Sequence, residues 1–299
     1  MSLAQDIRIA AAAYPIEGLP GWDALAAKLD HWLGEAARAG ADLALLPEYA
    51  GMEAACAGEA EAETAEEWCR LAAAAAPDYA ALCGELAQRH GLFLLAGSLP
   101  EETDYGLVNR ARFFTPTGGS GFQDKQVLTP WEREATSLTS GAPLSPFDCD
   151  LGRIGALICY DSEFPALAAA LETDLLLVPS STEAPAGQAR VQIASRARAL
   201  EGQCVVAQAP LIGGVADCVV VDANTGQAGI FGPPDTGFPE DGILAAGEVD
   251  SAGWVLADLS RDALAETRAT GAVAPLDHWP EAETCAGKAA LRPLTHNRP

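Results

Sequence analysis

The chain predicts an α/β fold with a largely parallel sheet, and three observations carry that prediction. Strand-like apolar runs recur along the 299 residues, helical periodicities separate them early in the chain, and shorter runs punctuated by turn signals close the series. Helices between strands imply crossover connections, which join parallel neighbours. No repeat, low-complexity block or Ser/Gly-rich linker splits the sequence. One domain is therefore expected over residues 1–270, with 271–299 as a C-terminal arm packed on that domain or on a partner subunit.

The elements follow in order. Ile7 to Ala13 reads as a first strand. A helix follows, because Trp22, Leu25, Leu29, Trp32, Leu33 and Ala36 fall on one face and Gly40 supplies the stop. Asp42 to Leu46 is a second strand; Glu66 to Ala76 and Asp78 to Arg89 read as two helices divided by Pro77. Further strands are expected at Leu92 to Gly97, Ala111 to Phe114, Ile154 to Cys159 and Leu175 to Val178. After a helix from Gln188 to Glu201, two more strands are expected at Cys204 to Ala209 and Cys218 to Val221. Asp222-Ala-Asn224-Thr-Gly226 and Asp250-Ser-Ala-Gly253 are turn signals that suggest edge hairpins. Phe231 to Pro239 reads as a surface loop, and Gly271 to Pro299 as irregular.

Composition narrows the chemistry. Eighteen basic residues against forty-two acidic ones give a formal charge of -24, which repels nucleic acid and anionic membrane surfaces. The run Glu59-Ala-Glu61-Ala-Glu63-Thr-Ala-Glu66-Glu67 is best read as a solvated helical face. Met1 to Ala13 carries Asp6 and Arg8 within its apolar run and lacks a basic leader, so a cytoplasmic location is expected. Eight cysteines without a Cys-x-x-Cys pair read as reduced thiols, with neither a disulfide framework nor a metal site. His31, His90, His278 and His296 show no ligand spacing, and no cofactor motif is present.

Within this frame the segment Arg153-Ile-Gly-Ala-Leu-Ile-Cys159-Tyr-Asp-Ser-Glu-Phe-Pro165 stands out, because it places a thiol where an apolar strand meets a turn. A cysteine attacks as thiolate and needs a proton acceptor and a nearby cation. His90, which precedes the strand at Leu92, remains a possible acceptor; Glu48 is the better candidate, since it follows Pro47 at the end of a buried strand. Lys125 supplies a cation in a chain with only three lysines, although a solvated surface lysine is the competing reading. Together, acid, ammonium and thiol suggest amide-bond chemistry.

Those residues resemble the carbon–nitrogen hydrolase family, also called the nitrilase superfamily. The resemblance rests on Leu46-Pro47-Glu48-Tyr49, Asp124-Lys125 ahead of Leu128, and Leu157-Ile-Cys159-Tyr160-Asp161 with Phe164-Pro165. It continues through Asp174 to Ser180 and Arg196 to Glu201, covering roughly residues 5 to 260. It implies a four-layer α-β-β-α sandwich of two mixed sheets. It also implies a homodimer or larger homo-oligomer, joined through the helix after the nucleophile and the helix near Arg190 to Glu201.

The resemblance assigns Glu48 as general base, Cys159 as nucleophile, and Lys125 with the backbone N–H after Cys159 as the oxyanion site. A second glutamate is expected near the lysine. Glu134, seven residues before Gly141, is preferred over Glu132, which directly follows Trp131. Tyr160-Asp161 after the nucleophile is similar to amidase branches, whereas nitrile-cleaving ones place Trp-Glu there. Ser162 and Glu163 stand where carboxylate-binding relatives carry an arginine, which favours a neutral or cationic amide. Tyr49, Trp131, Tyr160, Glu163, Thr182 and Glu183 are the candidate substrate-lining residues. The expected activity is cofactor-independent hydrolysis of a small amide through a thioester. Alternatives are a carbamoyl-amine hydrolase, a nitrilase, or a non-catalytic scaffold of the same fold.

Overall fold

Ile7-Arg-Ile-Ala-Ala-Ala-Ala-Tyr-Pro-Ile16 forms the central strand β1 although its four alanines intrinsically favour helix. Burial on both faces overrides that preference. Ile9 and Ala11 join one apolar cluster while Ala10, Ala12 and Tyr14 join another, so small side chains let a layer approach from each side.

The computed structural model describes residues 6–58 and 61–290. After β1 come α1 (Trp22–Arg38), β2 (Leu43–Leu46), α2 (Met52–Cys56) and α3 (Ala65–His90). Next are β3 (Phe93–Thr103), β4 (Gly106–Phe114), β5 (Ser120–Asp124) and α4 (Pro130–Ala135). β6 (Phe147–Cys149) and β7 (Gly152–Ala156) lead into a single 3-10 turn, Cys159–Glu163. Then follow α5 (Pro165–Leu171), β8 (Leu175–Ser180), α6 (Pro185–Glu201), β9 (Val205–Gly213), β10 (Gly229–Phe231) and β11 (Ile243–Ala246). β12 (Gly253–Leu259), α7 (Arg261–Thr270) and α8 (Pro275–Ala286) end the described chain.

Among the described residues the result is a mixed α/β fold built on a 12-stranded sheet, nine strands of which run in the order β5-β4-β3-β2-β1-β9-β8-β7-β6, while β12 pairs with β1 and β10 joins β9 to β11. Two expected sheets are here one hydrogen-bonded path. β1 makes the join: Ile7 to Ala13 pair antiparallel with β12, and Tyr14 to Ile16 then pair in parallel with β9. β2 pairs in parallel with both β1 and β3, and β7, β8 and β9 are parallel to one another. Leu43 and Leu45 of β2 share an apolar cluster with Ile154 of β7 and Leu175 and Leu177 of β8, which brings the two wings of the sheet into one core. Ala44 and Leu46 face the other way, into the cluster of α1 and α3. Among the described residues no helix is long and apolar enough to cross a membrane.

Several expectations need correction. Pro77 does not divide two helices; it lies inside α3. A proline there costs about 3 kcal/mol, but its ring is on the exposed side, and buried Trp68, Ala72, Ala76, Tyr79, Cys83 and Leu86 continue one face through it. Thr64 and Glu67 close a capping box at the start of α3, and Gly91 in the left-handed conformation ends it. Trp22 is 37% exposed rather than part of the buried face of α1. Cys218 to Val221 is a pair of turns, with Cys218 N–H bonded to Val215 O and Val221 N–H to Cys218 O. Cys218 and Val221 are buried, and burial without alternation does not dictate a strand.

Phe231, expected in a surface loop, is buried in β10. The turns at 222–226 and 250–253 do not close simple hairpins; the Asp250 carboxylate accepts from Gly226 N–H and Thr225 Oγ1 and ties the two together. The arm is helical over Pro275–Ala286, started by Pro275 in the first turn. Residues 291–299, with His296, and Glu59 of the acidic run lie outside the described residues.

Gly97 interrupts the β3–β4 register with φ of 70°, and a Cβ there would lie 2.3 Å from the carbonyl oxygen of Pro47. The close approach seats the β2 end that carries Glu48. Gly97→Ala should lower unfolding free energy by about 3 kcal/mol and displace that strand end. Calorimetry should show a clear fall in Tm, and an unchanged Tm would remove Gly97 from this role.

Candidate active site

Four strand ends meet at one place. Pro47 ends β2, and its carbonyl accepts from Ala50 N–H and Ser98 N–H. The chain then turns sharply, with Tyr49 at φ 60° and its N–H bonded to Ser98 Oγ at 3.1 Å. This leaves Glu48 pointing inward, 1% exposed. Lys125 follows β5; its N–H bonds Asn109 O at 2.9 Å, and its carbonyl accepts from Gly141 N–H at 3.1 Å. Gly141 is required by packing, since a Cβ there would fall 2.0 Å from the Cβ of Asp124. Catalytic groups in α/β proteins gather at such carboxyl ends.

Lys125 Nζ donates to Glu48 Oε1 and to Glu132 Oε1, each at 2.7 Å. Asn109 Nδ2 donates to Glu48 Oε1 at 3.0 Å, and Ser181 N–H, just past β8, donates to Glu48 Oε2 at 3.1 Å. Tyr49 OH adds a bond to Glu132 Oε1 at 2.7 Å.

The second glutamate beside the lysine is Glu132, not Glu134. Thr129-Pro130-Trp131-Glu132 forms a capping box: Glu132 Oε2 accepts from Thr129 N–H at 2.7 Å and from Thr129 Oγ1 at 2.9 Å. A box glutamate reaches back to the helix start, which here is toward Lys125. Glu134 lies two positions on, about 200° around the helix, and is exposed. The Thr-x-x-Glu pattern was the sequence signal that would have chosen correctly.

Cys159 adopts φ 48° at the start of the 3-10 turn, a conformation disfavoured for a side chain with a Cβ. Its Sγ donates to Ser181 O at 3.4 Å and is close enough to Glu48 for each group to perturb the other. Burial, and then the Glu48 charge, push the thiol well above its ordinary value while Lys125 pulls it down, so the resting sulfur is protonated. Burial likewise raises the Glu48 carboxyl, with Lys125 working against it. Burial also acts to raise Glu132, yet Lys125, Thr129 and Tyr49 outweigh it and hold that carboxyl below its ordinary value. Burial opposes the charge on Lys125, but Glu48 and Glu132 more than reverse this and keep it cationic. The carboxylate with the raised proton affinity is thus the one beside the thiol.

The other expected residues divide. Tyr49 belongs to the cluster. Thr182 spends its hydroxyl on Thr225 O at 2.8 Å, one residue past the Ser181 N–H that touches Glu48. Tyr160 packs edge-on against Phe164. Trp131 is 42% exposed, and Glu183 is exposed. Glu163 pairs with Arg190 of α6 at 3.2 Å. His90 bonds Asp30 at 2.8 Å on α1 and takes no part. Arg198 bonds Glu201, as expected, and also Ser162 O at 3.0 Å, which ties α6 to the nucleophile turn. Asn109, Ser98 and Ser181 were not legible beforehand, because polar residues in or beside strands carry no signal of the direction they face. Among the described residues no group of His, Cys, Asp and Glu is placed to hold a metal ion.

The profile of the carbon–nitrogen hydrolase family matches residues 8–263. The chain belongs to that family. It is 28% identical over 273 residues to a probable hydrolase, YhcX, of Bacillus subtilis, covering 90% of this chain and 53% of that protein. It is 31% identical over 139 residues to an omega-amidase of Xenopus laevis, covering 43% of this chain and 50% of the relative. The chain thus spans about half the length of these curated relatives. A solved amidase mutant from Nesterenkonia sp., carrying the acetamide moiety of fluoroacetamide on its active-site cysteine, superposes with a TM-score of 0.67 at 22% identity. That alignment covers 89% of this chain and 95% of the other, and it speaks to the fold.

Glu132→Gln should lower kcat for an amide substrate on the order of 100-fold, while Glu134→Gln stays near wild type. Steady-state kinetics on the two variants checks the assignment, and the reverse order would return the role to Glu134.

Proposed function

We propose that this chain is a cofactor-independent amidase that cleaves the C–N bond of a small neutral or cationic amide through a thioester on Cys159. The observation that carries the reading is the Lys125 ammonium held between Glu48 and Glu132 beside a buried thiol. An ammonium has three N–H donors, and two are taken by the carboxylates. The third is left to meet a developing oxyanion.

Cys159 Sγ attacks the amide carbonyl carbon as Glu48 takes the thiol proton. The oxyanion is held by Lys125 Nζ and the Tyr160 N–H, groups already fixed before the reaction. Collapse expels ammonia or an amine, which collects the proton from Glu48 and leaves the acyl thioester. Glu48 then deprotonates water, which attacks the thioester; the carboxylic acid departs and Sγ regains its proton. Glu132 and Tyr49 hold Lys125 in place throughout.

The two wings of the sheet, with helices outside, are read as the four layers of an α-β-β-α sandwich. The shared apolar cluster of β2, β7 and β8 supports this. Residues 1–270 are taken as the catalytic domain, with 271–299 as its arm. Association into a homodimer through α5 and α6 is supported by Ile193 and Leu200 on one face of α6, 68% and 48% exposed. The free buried thiols fit a reducing, cytoplasmic setting.

A screen of short aliphatic, aromatic and amino-acid amides with ammonia detection tests the activity. Cys159→Ala should abolish release with the fold intact by circular dichroism, and retained turnover would refute covalent catalysis. Lys125→Arg should lose on the order of 100-fold or more in kcat, because a planar fork does not replace a point donor; near-wild-type rates would remove Lys125 from the oxyanion site.

A further inference from the structure

Asp161, two residues after the nucleophile, is fully buried. Its carboxylate does not face the thiol. It reaches across to the segment after β5, where Oδ1 accepts from Val127 N–H at 2.8 Å and from Gln126 N–H at 3.2 Å, and Oδ2 accepts from Gln126 N–H at 3.1 Å. Gln126 adjoins Lys125. The turn that carries Asp161 is itself fixed: Asp161 N–H bonds Ile158 O at 3.0 Å, Ser162 Oγ bonds Cys159 O at 2.6 Å, and Arg198 Nη1 bonds Ser162 O at 3.0 Å. One side chain therefore ties the strained nucleophile turn to the lysine segment.

We propose that Asp161 is a positioning residue whose ionised carboxylate sets the placement of Lys125 against Cys159, so that its protonation loosens the oxyanion site. The proposal rests on the amidase reading above and adds a determinant of its pH dependence. The charged groups that act on Asp161 are Lys125 beyond β5 and Glu48 beyond β2, and Arg198 from α6 bonds the carbonyl of the neighbouring Ser162. Burial is the chief influence and raises its carboxyl to about 6; the two N–H donors and Lys125 oppose it, and Glu48 adds to it. The sign follows: the clamp is complete above that pH and is lost as pH falls through it. For stability the sign is opposite, since a carboxyl raised in the fold makes the folded state less stable as pH rises from the ordinary aspartate value to about 6.

Asp161→Asn keeps the shape and one acceptor oxygen but does not titrate. It should lose roughly tenfold in kcat with KM within about twofold, while the inflection of kcat near pH 6 that belongs to Asp161 disappears and that of Glu48 stays. Its Tm at pH 8 should not fall. Asp161→Ser, with a hydroxyl acceptor, gives the same pH readout should the first variant fail to fold. Alkylation of Cys159 by iodoacetamide, followed by mass spectrometry, adds a readout that needs no turnover: at pH 8 it should slow severalfold in both variants as Lys125 moves away from the sulfur. An unchanged acid limb together with unchanged alkylation would overturn the proposal, as would losses that merely track a lower Tm. Wild-type protein that cleaves no amide would count against the amidase reading instead, and the alkylation rates would still decide the role of Asp161.

Discussion

Lys125 lies 2% exposed with its ammonium between two carboxylates, and much of the surrounding structure serves to make that arrangement tolerable. A buried ion costs several kcal/mol unless it is paired and its remaining hydrogen-bonding capacity is met. Here Glu48 and Glu132 pair it, and Asn109, Ser181, Thr129 and Tyr49 satisfy those carboxylates in turn. Removing either glutamate would leave the ammonium with one carboxylate partner in place of two. Burial, and then the charge of Glu48, keep the neighbouring thiol protonated at rest, while burial raises the proton affinity of the Glu48 carboxyl beside it.

The same constraint governs the backbone. Glu48, Lys125 and Cys159, beside distant strands, converge only if the strand ends approach closely, and the sequence supplies small residues where they must. Gly97 admits the Pro47 carbonyl, Gly141 admits Asp124, and the alanines of β1 let helices pack on one face and the second wing on the other. Tyr49 and Cys159 carry positive φ without being glycine. That strain lies at the Glu48 and Cys159 turns, where it aims side chains inward, and the surrounding hydrogen bonds hold it in place.

Polar links between the two wings then complete the site. Ser181 N–H bonds Glu48, and Asp161 bonds the segment after Lys125, so groups on the nucleophile wing steady groups on the other. Neither link brings apolar burial with it. Both consist of backbone N–H donors directed at carboxylates, which fits a fold that trades some stability for a fixed array of charge.

How much was legible beforehand follows from range. Apolar strands ending in Pro47-Glu48 and Ile158-Cys159, and the amphipathic α1, are local patterns, so the α/β class could be read from the sequence alone, as could Glu48, Lys125 and Cys159 as candidates that the fold brings together. The Thr129 to Glu132 capping box was also local, and overlooking it misplaced the second glutamate at Glu134. The sequence could not reveal that α3 runs through Pro77, because long-range packing of its buried face outweighs a local break. Nor could it show β12 as a strand, since its pairing partner β1 lies far away in the chain. Residue types and their local order determined the fold class and which side chains were candidates for the site. Tertiary structure decided which carboxylate meets the lysine, that Glu163 turns to Arg190, and that Asp161 spans the two wings, because a side chain's direction is set by packing against residues that sequence proximity does not reveal.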